Sequence, residues 1–169
     1  MLVAPFSEIK IQPFDISDWS IISVIYQEGI DTKMATFETK IPTWEQWDLA
    51  HAKSCRLKAI MNNKIVGWAA LSPISKRQVY KGVGEVSIYI LSKYRNQGIG
   101  KSLLSALISE SEKVGFWSLQ ASIFNTNKAS LQLHTSMGFR IIGYKEKIGK
   151  LDDIWYDNTI LEKRSNYFI

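Results

Sequence analysis

The chain has 169 residues, 46% hydrophobic and 22% charged, which suits one globular core and excludes a disordered or collagen-like polymer. No run approaches the ~18 consecutive apolar residues of a membrane span, and MLVAPFSEIK carries no basic leader, so neither a membrane partner nor a secretory signal is expected. The net charge of +5 is dispersed, with Lys76–Arg77 and Lys163–Arg164 the only adjacent basic pairs, a pattern suited to a small anionic ligand and not to a nucleic-acid track. The single Cys55 excludes an intramolecular disulfide and a thiolate metal cluster.

In chain order, Ile9 and Ile11 alternate with polar residues before Pro13 and predict a first strand. Asp15 to Asp18 supply helix caps, and Trp19, Ile22, Ile25 and Tyr26 share a face of the helix that follows, which runs out near 29–32. Thr43 and Gln46 form a capping box for a second helix over 44–54. Two strands, 57–61 and 65–71, flank Asn62–Asn63, a pair that tolerates positive φ and predicts a hairpin. A polar loop over 72–84 precedes a strand at 85–91. A helix over 99–114 follows, with Leu103, Leu104, Leu107 and Ile108 at core spacing and Gly115 as its stop. A strand at 117–123, a helix at 127–137 and strands at 141–148 and 154–161 complete the chain. This order predicts an α/β fold in which a mixed sheet is covered by helices, one domain spanning 1–169.

Arg95-Asn96-Gln97-Gly98-Ile99-Gly100 lies between a strand and a long helix. Its glycines admit a ligand close to the backbone. The helix start beyond them offers free N–H groups and a positive dipole end, a setting for pyrophosphate that Arg95 can reinforce. A nucleotide-hydrolase P-loop is excluded because the four-residue gap before Gly100-Lys101-Ser102 is missing, and Leu103 stands where a Rossmann fingerprint needs its third glycine. The bare pattern also fits a tight turn that binds nothing.

R-x-x-G-x-G in this setting resembles the coenzyme A loop of the GNAT superfamily of acyl-CoA N-acyltransferases. Asn127-Lys128-Ala129-Ser130-Leu131-Gln132-Leu133-His134, closing on Gly138-Phe139, is similar to a second signature of that family at the expected distance downstream. Pro73, Arg77, Tyr80, Glu85 and Tyr89, with Thr36-Phe37-Glu38, Thr43, Trp47 and Trp155-x-Asp157, resemble the phosphinothricin and methionine-sulfoximine acetyltransferase branch.

The resemblance implies a GNAT fold of about seven strands and four helices, acetyl-CoA as co-substrate, a small amine or amino-acid acceptor, and a homodimer; the expected compartment, with no secretory signal read, is the cytoplasm. It implies Glu85 as general base, acting through water, and His134 as the acid that protonates the leaving thiolate. Ile88, Tyr89 and Ile90 would pair with the pantetheine arm, an Ile90 N–H serving as oxyanion donor. Arg95, Asn96, Gln97, Gly98, Ile99 and Gly100 would hold the pyrophosphate. Asn127 would orient the arm or a water, and Ser136 would touch the cofactor. Arg77 and Tyr80, with Phe37 as a wall, would receive the acidic end of the acceptor, since a guanidinium suits a carboxylate or phosphinate. Cys55 has no His or Asp beside it, which favours direct attack in a ternary complex over an acyl-cysteine route. His51 has no metal-ligand spacing, and no metal is expected. A peptide N-terminal acetyltransferase and a non-catalytic CoA sensor are the alternatives.

Overall fold

The computed structural model describes residues 8–168. The reading of the first residues as lacking a secretory leader lies outside them. The first strand, β1 (Ile9–Pro13), leads through a short 3-10 turn to helix α1 (Trp19–Asp31) and helix α2 (Trp44–Ala50). Strands β2 (Leu57–Met61), β3 (Lys64–Pro73) and β4 (Val83–Ile90) follow. Helix α3 (Ile99–Lys113), strand β5 (Ser118–Phe124), helix α4 (Lys128–Ser136) and strands β6 (Arg140–Leu151) and β7 (Ile154–Arg164) complete the order. The seven strands form one sheet in the order β1-β2-β3-β4-β5-β7-β6. Every neighbouring pair is antiparallel except β4 and β5.

Strand alternation divides the core into two layers. Trp68 and Ala70 of β3 turn towards α1 and α2, where they meet Phe14, Ile22, Ile25, Tyr26, Ile30 and Trp47. Ala69 and Leu71 turn the other way and pack with Leu103, Leu104 and Leu107 of α3 and Leu119, Ala121 and Ile123 of β5. The sheet thus has a front face under α1 and α2 and a back face under α3.

The Asn62–Asn63 hairpin forms as expected, with φ of 50° and 60°. The second helix ends earlier than the expected 54. His51 adopts extended dihedrals (φ −112°, ψ 149°) and places its Nδ1 2.7 Å from the Trp47 carbonyl, the acceptor a continuing helix would give to the backbone of residue 51. The Arg56 guanidinium then donates to the carbonyls of Asp48, His51 and Ala52 and pairs with the Asp48 carboxylate at 2.6 Å, closing the helix end from outside. The 72–84 loop is shorter than expected, because β3 reaches Pro73, β4 begins at Val83, and Gln78–Tyr80 form a 3-10 turn between them.

Candidate active site

Strand β4 pairs with β5 only at Val83–Ser118, Gly84–Leu119 and Glu85–Gln120. Beyond Glu85 the two strands part, although β4 continues to Ile90 and β5 to Phe124. Glu85 therefore sits where a parallel pair opens into a cleft. On its other side β4 stays paired with β3 as far as Gly67–Ile90. The Leu91 N–H donates to the Val66 carbonyl, so by alternation the backbone groups of Glu85, Ser87 and Tyr89 also face β3. Those of Val86, Ile88 and Ile90 face the opening. Of the three residues expected to pair with a pantetheine arm, Ile88 and Ile90 present their backbone to the cleft and Tyr89 does not. The Ile90 carbonyl accepts from Arg95 Nε at 3.3 Å, which leaves its N–H towards the opening.

Side chains alternate too. Glu85, Ser87 and Tyr89 lie on the front face, and Val86, Ile88 and Ile90 pack on the back-face core. The Tyr89 ring stacks on Trp68 with centroids 4.9 Å apart, lies 4.8 Å from Tyr26, and occupies the space a side chain at Gly29 would need. Burial pushes the hydroxyl pKa of both tyrosines up.

Glu85 is open to solvent, and among the described residues it makes no hydrogen bond or ion pair. Protein surrounds the cleft floor closely enough that desolvation raises its carboxyl above the ordinary 4.5, while the Lys145 ammonium pulls the other way. A carboxyl of this kind takes up a proton near neutrality more readily than a surface glutamate.

The loop expected to hold pyrophosphate joins β4 to α3. Asn96 (φ 59°) and Gly98 (φ 83°) both occupy the left-handed region. Gly98 is the N-cap of α3 and supplies no side-chain acceptor, so the free N–H groups of the first helical turn are left to a ligand. A side chain at Gly100 would come within 3.1 Å of Leu133 and 3.3 Å of Ile90. Ile99 is buried as a core anchor, and Gln97 donates to the Lys93 carbonyl, bracing the loop.

On the opposite arm, Asn127 caps α4. Its Oδ1 accepts from the Ser130 N–H at 3.1 Å, and its Nδ2 donates to the Met34 carbonyl at 3.3 Å. That second bond ties α4 to the α1–α2 connection. The same connection carries Phe37, whose ring lies 4.4 Å from Phe124, 6.3 Å from Tyr156 and tight against Gly149. Phe37 thus lies on the front face of the sheet, over the β5 side of the cleft. The Ser136 hydroxyl is committed to the Leu133 carbonyl at 2.8 Å.

His134 is 2% exposed and meets Phe139 edge-on. Its Nδ1 lies 2.8 Å from the Ser130 carbonyl, which fixes the proton there and leaves a buried Nε2 without a partner. Desolvation lowers its pKa. In this state the proton sits on Nδ1, and to act as the expected acid the ring would first have to take up a second proton at Nε2.

Arg77 stacks over Tyr80 at 5.5 Å, both on the exposed 3-10 turn beyond the Pro73–Gly84 pair. The cation whose field reaches Glu85 is Lys145, which the sequence reading missed. No local motif marks it, because it arrives through the pairing of β6 with β7.

A groove of about 420 Å³ lies elsewhere, lined by Ile11, Phe14, Cys55, Arg56 and Glu110, and holds none of these residues. The buried Cys55 thiol is pushed up in pKa there, a poor state for a nucleophile. No group of three or more His, Cys, Asp and Glu suited to a metal occurs among the described residues.

The family described as Acetyltransferase (GNAT) matches residues 21–139. The chain belongs to that family. A Bacillus subtilis (strain 168) protein named "Putative phosphinothricin acetyltransferase YwnH" is 32% identical, across 85% of this chain and 91% of its own length. A phosphinothricin N-acetyltransferase of Streptomyces viridochromogenes is 26% identical, across 88% of this chain and 84% of its own. The crystal structure of a GNAT superfamily phosphinothricin acetyltransferase from Sinorhizobium meliloti, in complex with AcCoA, superposes with a TM-score of 0.83 at 25% identity, covering 92% of this chain and 88% of that one. The seven-stranded sheet and four helices are the GNAT fold, and this GNAT protein is an acetyl-CoA-dependent N-acetyltransferase. The uncapped α3 N-terminus, the close-packed Gly100 and the open edge of β4 fit its co-substrate.

Proposed function

We propose that this acetyltransferase acetylates the α-amino group of a small amino acid or a toxic analogue of one, with phosphinothricin, methionine sulfoximine and methionine sulfone as the acceptors to test. The observation that carries the reading is the desolvated, otherwise unpaired Glu85 carboxyl at the point where β4 and β5 separate. Relatives named for phosphinothricin and for methionine sulfoximine or sulfone support the acceptor class. Phe37 stands against Phe124 on the front of β5, a bulky wall that suits a small acceptor better than an extended peptide.

In this reading Glu85 takes the proton of the acceptor ammonium, directly or through water, and frees the lone pair. Acetyl-CoA supplies the acetyl thioester: a C–N bond forms to the acceptor, the C–S bond breaks, and the thiolate takes up a proton. The Ile90 N–H faces the developing oxyanion, and Ile88 aligns the arm. Arg95 and the backbone of 96–100 hold the pyrophosphate. Asn127 fixes the α4 arm of the cleft, and Ser136 lies at the end of that helix. His134, with its Nδ1–H committed to Ser130, anchors α4, and solvent protonates the thiolate. Arg77 and Tyr80 meet the distal acidic or oxo group of the acceptor.

The same proposal takes 1–169 as one domain, working as a homodimer in the cytoplasm. No helix among the described residues is long and apolar enough to cross a membrane. Exposed Ile141, Tyr144, Ile148 and Trp155 on β6 and β7 offer a surface for a second copy.

Thiol release from acetyl-CoA across phosphinothricin, methionine sulfoximine, methionine sulfone, ordinary amino acids and a free-amine peptide tests the reading. Turnover concentrated in the amino-acid analogues is expected. Preference for the peptide would move the protein to N-terminal acetylation, and acetyl-CoA binding without any turnover would make it a sensor.

A further inference from the structure

Strand register brings together residues that lie far apart in the chain. Glu85 pairs with Gln120, so the front face of β5 carries Gln120, Ser122 and Phe124. Phe124 pairs with Asn158 of β7, and Asn158 with Lys145 of β6. Lys145, Asn158, Ser122 and Glu85 therefore share the face on which Phe37 lies, and Gly149, against which the Phe37 ring rests, is on it too.

Two observations mark the far side of this face as a binding surface. Asn158 is 6% exposed; its Nδ2 donates to Ser122 Oγ at 2.8 Å, and its Oδ1 is buried with no partner. Turning the amide over would only exchange which atom is left unpaired. A buried amide atom without a partner is destabilising, and a polar ligand that supplies the missing hydrogen bond would recover that loss. Lys145 is exposed and, among the described residues, enters no ion pair, whereas Arg140 of the same strand is paired with Glu162 at 2.6 Å. Its charge still reaches Glu85 across the cleft.

We propose that Lys145 and Asn158 form the subsite that holds the acceptor's α-carboxylate end: the Lys145 ammonium pairs with the carboxylate, and Asn158 Oδ1 accepts an N–H of the adjacent amine. This deepens, and rests on, the reading of the protein as an amino-acid acetyltransferase. An α-amino acid carries opposite charges two bonds apart, and the cleft presents their complements, an anion at Glu85 and a cation at Lys145. Holding the carboxylate fixes which way the amine nitrogen points. Arg77 is left for the distal group.

The test compares methionine sulfone with its carboxamide, which keeps the amine and loses the negative charge. Measured above the acid limb of the rate profile, where Glu85 is ionised with or without Lys145, Lys145→Gln is expected to raise KM for methionine sulfone about ten- to hundredfold, the range for a charge-assisted contact, and to leave KM for the carboxamide and for acetyl-CoA unchanged. Lys145→Arg should recover most of the loss. Asn158→Ser should raise KM for both acceptors, because both present the amine; its fold is checked by unchanged acetyl-CoA binding. Equal effects of Lys145→Gln on acid and amide, or none on either, would overturn the subsite while leaving the acetyltransferase reading intact. Failure of the unaltered protein to acetylate either compound or any other amino acid would overturn both.

Discussion

At the scale of single residues, the site depends on what each polar atom is already bonded to. His134 occupies the position that the resemblance gives to a proton donor, yet its Nδ1 proton is held by the Ser130 carbonyl and its Nε2 is sealed in the core. General acid catalysis contributes roughly 10²–10⁴-fold. His134→Gln should therefore keep kcat within about threefold while lowering thermal stability, since a glutamine can still donate to Ser130. Steady-state kinetics alongside a melting curve check this. A hundredfold loss of kcat, with the alkaline limb of the rate profile moved, would restore the acid role. Glu85 and the 95–100 loop could be singled out from the sequence because each sits in a local motif. Lys145 and Asn158 could not, because their place depends on a register running through β5, β7 and β6.

At the scale of elements, short-range chemistry was readable and helix termination was not. Thr43 and Gln46 form their reciprocal cap as the spacing predicts. The end of α2 is set by side chains returning from outside the helix, the imidazole of His51 and the guanidinium of Arg56, which no propensity anticipates. The last hairpin is longer than the alternating runs implied. Its turn is Asp152–Asp153, with φ of 47° and 63°, the same two-residue left-handed geometry as Asn62–Asn63. Asn127 is where one element controls the cleft, since it caps α4 and ties it to Met34. Asn127→Ala should cost about 1–2 kcal/mol, or roughly 2–8 °C in Tm, and weaken acetyl-CoA binding. Asn127→Asp should keep the cap and lose the Met34 tether. Calorimetry of the two variants separates the contributions; equal Tm losses would contradict the division.

At the scale of the whole molecule, the two histidines set how the fold responds to acid. His134 is buried and His51 half-buried, and desolvation lowers the pKa of each below the ordinary 6.5. A depressed pKa means that the unfolded chain binds the proton more tightly, so this stability is complete above about pH 6.5 and is lost as pH falls towards the folded values. Asp15, Asp48 and Asp157, whose hydrogen bonds lower their pKa, add their loss only at more acid pH. Tm should thus decline between pH 7 and 5, before the carboxylates titrate, and His51→Gln with His134→Gln should flatten that decline. A Tm constant over this window in the unaltered protein would contradict it. The opening of β4 from β5 is likewise a property of the whole sheet: one parallel pair in an otherwise antiparallel array parts after three residues, and Glu85, the proposed base, stands at that point.

The most direct test is the pH profile of kcat/KM for the preferred amino-acid acceptor. Because Glu85 must be ionised to accept a proton and its pKa is raised, activity should fall as pH drops through a limb lying above 4.5. Lys145 lowers that pKa, so Lys145→Gln should move the limb to higher pH, and Glu85→Gln should abolish it with a loss of about 10²–10⁴-fold and intact acetyl-CoA binding. A Glu85→Gln enzyme that keeps both its rate and its acid limb would contradict the assignment of the base.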